Sequence, residues 1–495
     1  MKYIILLLAT LFIFSCGTAT TPKNVSTETI YPSDTTFLTN AADMRITAGT
    51  ENFWTLNDPT ENIIESKKFD FNDTKSYKLS EVNLEKYQIM EEILNIDGET
   101  IARGISNIIN VNNLQSTYPI FLIPVNKAIT LENSEMGIND SIKNLEGHTI
   151  TNLPDGRVLI WGGKDVNGYT SKVYVYSPEK LAIVALNSNI ARAFHTATLY
   201  YLDTSDKNNP KEPRVLISGG INNNGDIGTA EIFNPETNEI SSMITELPAQ
   251  PVSKGSNQST ILTKSGFIYL FGGKYLDNGT EKYSDTIISF NTIANTFSGL
   301  ANLPTGLENT TATYIGDGKA IIAGGNDANT VSNKVFLFDS TISEISVIGT
   351  LQNPRTKHSA VFYNGKVYFI GGFSQHSGNT FNSPIKDIEA ATPLDVSYIC
   401  DLEEPRGDIT VNNVNANTVI IAGGHNGDNK PITDSQIVEL RTSSCMKSEK
   451  TISLNNPRYG AKSVLTSTGL TLIVGGISDN SDNSSSIMEV MTILP

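Results

Sequence analysis

The chain has 495 residues, 39% of them hydrophobic, and 36 Lys and Arg against 52 Asp and Glu give it a formal net charge of −16. That length exceeds what one hydrophobic core serves, so more than one ordered unit is expected. A diffuse acidic surface excludes a nucleic-acid partner, whose phosphates demand a basic footprint.

The first element is a leader over residues 1–15. It carries one charge at Lys2, an apolar run from Tyr3 to Phe14, and then Ser15-Cys16-Gly17. This layout is a secretion signal and is too short for a stable membrane span. Ile13-Phe14-Ser15-Cys16 resembles a bacterial lipobox, which implies lipidation of Cys16 as the new N-terminus. An ordinary signal peptide that happens to hold a cysteine is the alternative. Several acyl chains would anchor the protein to the bacterial cell envelope, each buried methylene adding roughly 0.8 kcal/mol. The absence of Asp at residue 17 points to the outer membrane. Residues 16–40, rich in Thr, Ser and Pro, have little to bury and are expected to be a flexible tether.

Residues 41–131 change texture to short alternating runs, such as Lys68-Phe69-Asp70-Phe71, Tyr77-Lys78-Leu79, Tyr87-Gln88-Ile89-Met90 and Ile120-Phe121-Leu122-Ile123. A period of two predicts half-buried strands, and Asp97-Gly98 between Ile96 and Ile101 predicts a hairpin turn. The expectation is a small antiparallel β-sandwich. It resembles the immunoglobulin-like modules that precede propellers in some bacterial lipoproteins, though no Cys-Trp-Cys core is available and Trp54 stands alone.

Residues 132–495 are dominated by seven Gly-Gly pairs that begin at Gly162, Gly219, Gly272, Gly324, Gly371, Gly423 and Gly475, each closing a short apolar run. Their spacings are 57, 53, 52, 47, 52 and 52 residues. A period near ~50 is that of a propeller repeat whose unit is one four-stranded blade. A polar or apolar opener precedes each pair: His148, His195, Gln258, Asn309, His358, Ile409 and Ala461, at distances of 14, 24, 14, 15, 13, 14 and 14. The extra length in the second repeat lies at about Asp203 to Pro213. A second register follows the glycines, an aromatic and then an apolar residue seven positions later: Tyr176 to Ile183, Phe233 to Ile240, Phe290 to Phe297 and Phe338 to Ile345.

Arg355-Thr356-Lys357-His358-Ser359-Ala360, Gly365-Lys366-Val367-Tyr368-Phe369-Ile370-Gly371-Gly372 and Phe233-Asn234-Pro235-Glu236-Thr237-Asn238 resemble kelch repeats closely. The resemblance covers about Gly147 to Pro495, and the residue the family usually supplies as Trp is here aliphatic or Phe. It implies an all-β fold, a seven-bladed kelch-like β-propeller behind the sandwich. The tail has room for only three strands, so a strand from about 120–145 is expected to complete the last blade. Six blades with a partial seventh unit is the alternative.

In such blades the b–c and d–a connections share one face, and this sorts the polar residues. Arg192, Arg355, Arg406 and Arg458 fall where one blade hands over to the next, and His376 and His425 fall on b–c loops of the same face. These six are the candidate binding residues, because guanidinium groups offer planar bidentate donors for a carboxylate or sulfate. The alternative is that the arginines brace neighbouring blades. His148, His195 and His358 lie on different blades, too far apart around a ring to share a metal, and no metal or cofactor is expected. Arg406-Gly407-Asp408 spells an integrin tripeptide at a blade hand-over, where Asp408 would begin an inner strand. Asn222-Asn223-Asn224-Gly225-Asp226 and Asp479-Asn480-Ser481-Asp482-Asn483 lack the closing Glu of a calcium loop and read as solvated turns. Cys400 and Cys445 either bridge the outer edges of blades five and six or stand as two isolated thiols.

No Gly-x-Ser-x-Gly elbow, His-Glu-x-x-His helix or phosphate-binding loop is present, so no catalytic residue is assigned. Among kelch enzymes, copper radical oxidases use a Tyr-Cys pair in the pore, whereas both repeat cysteines fall near outer strands. The sequence therefore points to a lipid-anchored, extracytoplasmic binding or adhesion module for a protein, peptide or glycan. Two alternatives stay open. One is an envelope enzyme acting on a sugar or acidic metabolite in the pore, as sialic-acid epimerases of this fold do. The other is a structural component of a surface assembly, contacting through the insertion of blade two.

Overall fold

A computed structural model of the protein describes residues 8–13, 23–32, 35–50, 54, 62–71, 86–110, 117–131, 144–203, 211–242, 257–478 and 488–493. Cys16, Tyr77-Lys78-Leu79, the centre of the blade-two insertion and the 479–483 run lie outside them. Among the described residues, no helix is long and apolar enough to cross a membrane.

Seven four-stranded antiparallel sheets follow one another from residue 149. Blade one shows the pattern: Thr149–Asn152, Val158–Trp161, Lys172–Ser177 and Ala182–Asn187, here called a to d. The centre of strand b is apolar and buried, as Val158–Trp161 and the run Val419-Ile420-Ile421-Ala422 are, because neighbouring blades cover both its faces. Strand d, on the outside, alternates towards solvent. The aromatic-to-apolar spacing of seven is a c–d register, since Tyr176 faces Ile183, Phe233 faces Ile240, Phe290 faces Phe297 and Phe338 faces Ile345.

The ring is closed. The a strands touch in succession around it, and that of blade seven, Lys462–Leu465, touches that of blade one. Blade seven takes its outermost strand from far upstream, where Ile129–Leu131 pairs antiparallel with Met488–Met491. At the outer edges of blades five and six, the sulfurs of Cys400 and Cys445 are bonded, with Cα atoms 5.9 Å apart.

The N-terminal unit is two facing sheets. One contains Asp43–Gly49, Ile63–Asp70, Lys86–Leu94, Thr100–Ile105 and Ile123–Pro124, and the other contains Lys23–Ile30 and Thr117–Phe121, with Leu8–Ile13, a stretch of the expected leader, paired along its edge. Met44, Ile46, Tyr87, Ile89, Tyr118 and Ile120 fill the space between them. This corrects the tether expected over residues 16–40: Lys23–Ile30 runs parallel to Thr117–Phe121, and Tyr31 enters the core. Composition misled because the inward side chains Thr27 and Thr29 are polar. They donate to Glu91 of the opposite sheet at 3.0 and 2.7 Å, and burial pushes that carboxyl up.

The sandwich sits on the a–b turns of blades one and seven. Gln88 donates to the Ser467 carbonyl at 2.8 Å, Asn107 accepts from Ser467 Oγ at 2.9 Å, and Trp54 and Ile105 lie against Gly469. The opposite face, with the b–c hairpins and d–a hand-overs, carries no such cover among the described residues.

Candidate functional site: the channel and its rim

Four of the six candidate binding residues are not at the channel mouth. Arg192, Arg355, Arg406 and Arg458 are 0%, 0%, 1% and 2% exposed. Each lies in a seam between blades. The Arg355 carbonyl accepts from Gly325 of blade four at 2.9 Å, while its guanidinium reaches Asp387 at 2.8 Å and Glu389 at 2.5 Å in blade five. Arg192 pairs with Glu231 at 3.0 Å and Arg458 with Glu489 at 2.6 Å in the same relation. Arg406 reaches the Asp434 carbonyl at 2.7 Å, and blade six holds Gln436 where those blades hold Glu. Burial pulls the Arg192, Arg406 and Arg458 guanidiniums down, an effect that nearby carboxylates oppose, and it pushes the Glu231 and Glu389 carboxyls up. The arginines are braces, because a charged group this deep requires partners inside the protein.

The glycine pairs belong to the same joint. Gly324 has φ +65° and Gly325 φ +90°, and a Cβ on Gly324 would meet the Arg355 carbonyl oxygen. The integrin tripeptide is ruled out as a loop ligand: Arg406 is braced, a Cβ on Gly407 lies in the Phe373 ring, and Asp408 faces the channel.

His425 is buried between Phe373 and Tyr459, with ring centroids 4.6 and 4.7 Å away, and its Nε2 is 3.8 Å from Asp408. His376 sits on the hairpin Phe373–Ser377/Thr380–Pro384, packed on Phe381 and bonded to the Gly378 carbonyl at 3.2 Å. The inner-strand histidines also stay apart. His195 Nε2 meets Thr149 at 3.0 Å, His358 Nε2 meets Thr311 at 2.9 Å, and His148 Nδ1 meets the Leu145 carbonyl at 3.0 Å. Burial lowers all three, His148 to about 3, so they are neutral links between blades. Among the described residues, no cluster of metal-ligating side chains occurs.

The channel mouth is a ring of one residue per blade: Gly147, Phe194, Asn257, Asn309, Lys357, Asp408 and Gly460. All seven have φ between +51° and +67°. Phe194 N donates to Gly147 O at 2.6 Å, Asn257 N to Phe194 O at 2.9 Å and Asn309 N to Asn257 O at 3.1 Å. On the other side, Asp408 N donates to Lys357 O at 3.0 Å and Gly460 N to Asp408 O at 2.9 Å. Left-handed backbone costs a non-glycine residue about 1–2 kcal/mol, here offset by blade-to-blade bonds. The ring corrects the repeat alignment by one residue in blade four, where Asn309 is a ring member and Thr310 is the equivalent of His148.

Inside the ring lies a cavity of about 370 Å³ that all seven blades line. Its charged groups are Glu146, Lys357, Asp408 and Lys462. Lys357 Nζ is 3.6 Å from Asp408 and 5.4 Å from the Phe381 ring centroid. Burial acts downward on the Lys357 amine, but Asp408, Glu308 and Glu146 outweigh it and hold it above the usual range. Burial acts upward on the Asp408 carboxyl, and Lys357 and His425 hold it down. Lys462 differs: its side chain is exposed to the channel space, and the surrounding walls and the neighbouring Lys357 lower its amine, an effect that Asp408 offsets only in part. Lys357, Asp408 and Lys462 were not among the six candidates from sequence. The usable signal was the position two residues after the ring residue, which is Ser or Thr in six blades and Lys in the seventh.

A family model described as the KLHDC2/KLHL20/DRC7 Kelch-repeats domain matches residues 195–388. No curated protein matches the chain. Similar solved structures include "Structure of YjhT", at 16% identity and a TM-score of 0.46, covering 63% of this chain and 99% of that one.

Proposed function

Since this chain is a kelch-repeat β-propeller protein, we propose that it is an exported lipoprotein, anchored through Cys16 to the outer membrane. There it would bind a protein, peptide or glycan through the b–c/d–a face. One observation carries this reading: the sandwich occupies the a–b side of blades one and seven, so an N-terminal anchor leaves the opposite face turned away from the membrane. That face presents stiff hairpins around the channel, including Lys274–Asp277/Thr280–Tyr283 and Phe373–Ser377/Thr380–Pro384. A rigid scaffold carrying independently variable loops suits recognition.

The test has two arms. Cys16→Ser should release the protein from the membrane fraction. A glycan and peptide array probed with residues 16–495 should yield a ligand whose affinity falls about tenfold when either hairpin is cut to a two-residue turn. A ligand indifferent to both cuts but lost on changing the a–b turns contradicts the proposal. A second reading, small-molecule chemistry in the pore, is favoured by the charged cavity.

A further inference from the structure

We propose that Lys462 anchors a binding site for a small organic monoanion, a carboxylate, inside the propeller channel. The inference concerns the pore and does not rest on the reading of the rim.

It starts from a break in the internal symmetry. Counting two residues from each ring position gives Thr149, Thr196, Ser259, Thr311, Ser359 and Thr410 in blades one to six, and Lys462 in blade seven. Five of the six hydroxyls tie their blade to the next one. Thr149 meets His195, Ser259 meets Thr310 at 3.0 Å, Thr311 meets His358, Ser359 donates to the Ile409 carbonyl at 3.1 Å, and Thr410 meets Ser463. Thr196 instead meets Ser218 of its own blade at 3.0 Å. A short hydroxyl is therefore what the fold uses here, and a lysine does not perform that task. Lys462 has no hydrogen-bond or ion-pair partner among the described residues. It shares its cavity with Lys357, whose charge Asp408 already neutralises. The Lys462 side chain is exposed to the channel space, so its ammonium is presented to whatever enters the cavity and is not used by the fold.

The cavity limits what that is. A volume of about 370 Å³ has room for a molecule displacing on the order of ten waters. Asp408 and Glu146 share the space and repel a second negative charge, so a monoanion fits better than a phosphate dianion. The Phe194 ring, lying on Gly147 across the ring from Lys357, gives the body of the acid an apolar flank.

The experiment uses the full chain labelled with ¹⁵N-lysine. The Lys462 Nζ resonance is identified by its loss in Lys462→Thr, the residue type that blades one, two, four and six carry. Acetate is titrated against acetamide, which has its shape without its charge, and against chloride at equal ionic strength. Acetate should move the Lys462 resonance saturably and bind about tenfold tighter than acetamide. Lys462→Thr should keep the wild-type unfolding midpoint and lose acetate binding, and Lys462→Arg should restore it. Equal responses to acetate and acetamide, or to acetate and chloride, would overturn the proposal. So would saturable acetate binding in Lys462→Thr.

Discussion

Basic residues occupy two regions of this propeller, and they live there on different terms. In the seams, Arg192, Arg355 and Arg458 are each matched by a carboxylate one blade on, at 3.0, 2.5 and 2.6 Å. In the channel, Lys357 has Asp408, but Lys462 has no partner of its own among the described residues. A residue that recurs with the repeat is part of the joint, while one that interrupts the repeat is free for other work. Of the two readings that the sequence left for the repeating arginines, binding groups or braces between blades, these pairs support the braces.

The largest expected effect comes from breaking a seam. Arg355→Met leaves Asp387 and Glu389 buried without their cation and should cost about 3–5 kcal/mol in urea unfolding. A loss below about 1 kcal/mol would mean that the seam is not what the arginine holds. Next is the covalent link between blades five and six. Removing it with paired Cys400→Ser and Cys445→Ser changes, or by reduction, should cost about 2–4 kcal/mol in the same assay.

The histidine links give a smaller, pH-dependent term. His148, His195 and His358 are held below the ordinary value of about 6.5, His148 at about 3. Below about pH 6.5 the unfolded chain takes up protons that the folded chain refuses. Their contribution is therefore complete above that pH and declines as the pH falls, by up to about 1.4 kcal/mol per unit for each histidine. His358→Gln copies blade three, where the Gln258 amide donates to the Gly272 carbonyl at 3.1 Å, and should remove one such share of the slope between pH 6 and pH 4.5. An unchanged slope would show that this histidine is protonated in the fold. The smallest effect is that of Lys462→Thr, which should leave stability within about 0.5 kcal/mol of wild type or raise it.

Much of the fold was legible in the sequence because glycine pairs and the c–d register are local signals. Phe233 and Ile240 lie opposite each other as their spacing implies. The closing strand was placed only broadly, because Ile129-Thr130-Leu131 is three residues with no turn signature, defined by its partner Met488–Met491 rather than by itself. Lys23–Ile30 was missed since its buried threonines serve Glu91, a contact more than sixty residues away in sequence. The site was less legible. Arg355 and Lys357 are two residues apart and equally basic, yet one points into the seam and the other into the channel, a difference set by the left-handed turn at Lys357. Lys462 was visible in principle, because the residue after each strand opener is Ser or Thr in six repeats and Lys in the seventh.

The most direct test of this division of labour is the urea midpoint of Lys462→Thr measured with and without acetate beside wild type. Acetate should raise the midpoint of the wild-type protein by ligand linkage and leave that of the variant unmoved, with the variant as stable as wild type in its absence. A variant that is destabilised as Arg355→Met is, and that still responds to acetate, would make Lys462 one more brace and contradict the separation of seam from channel.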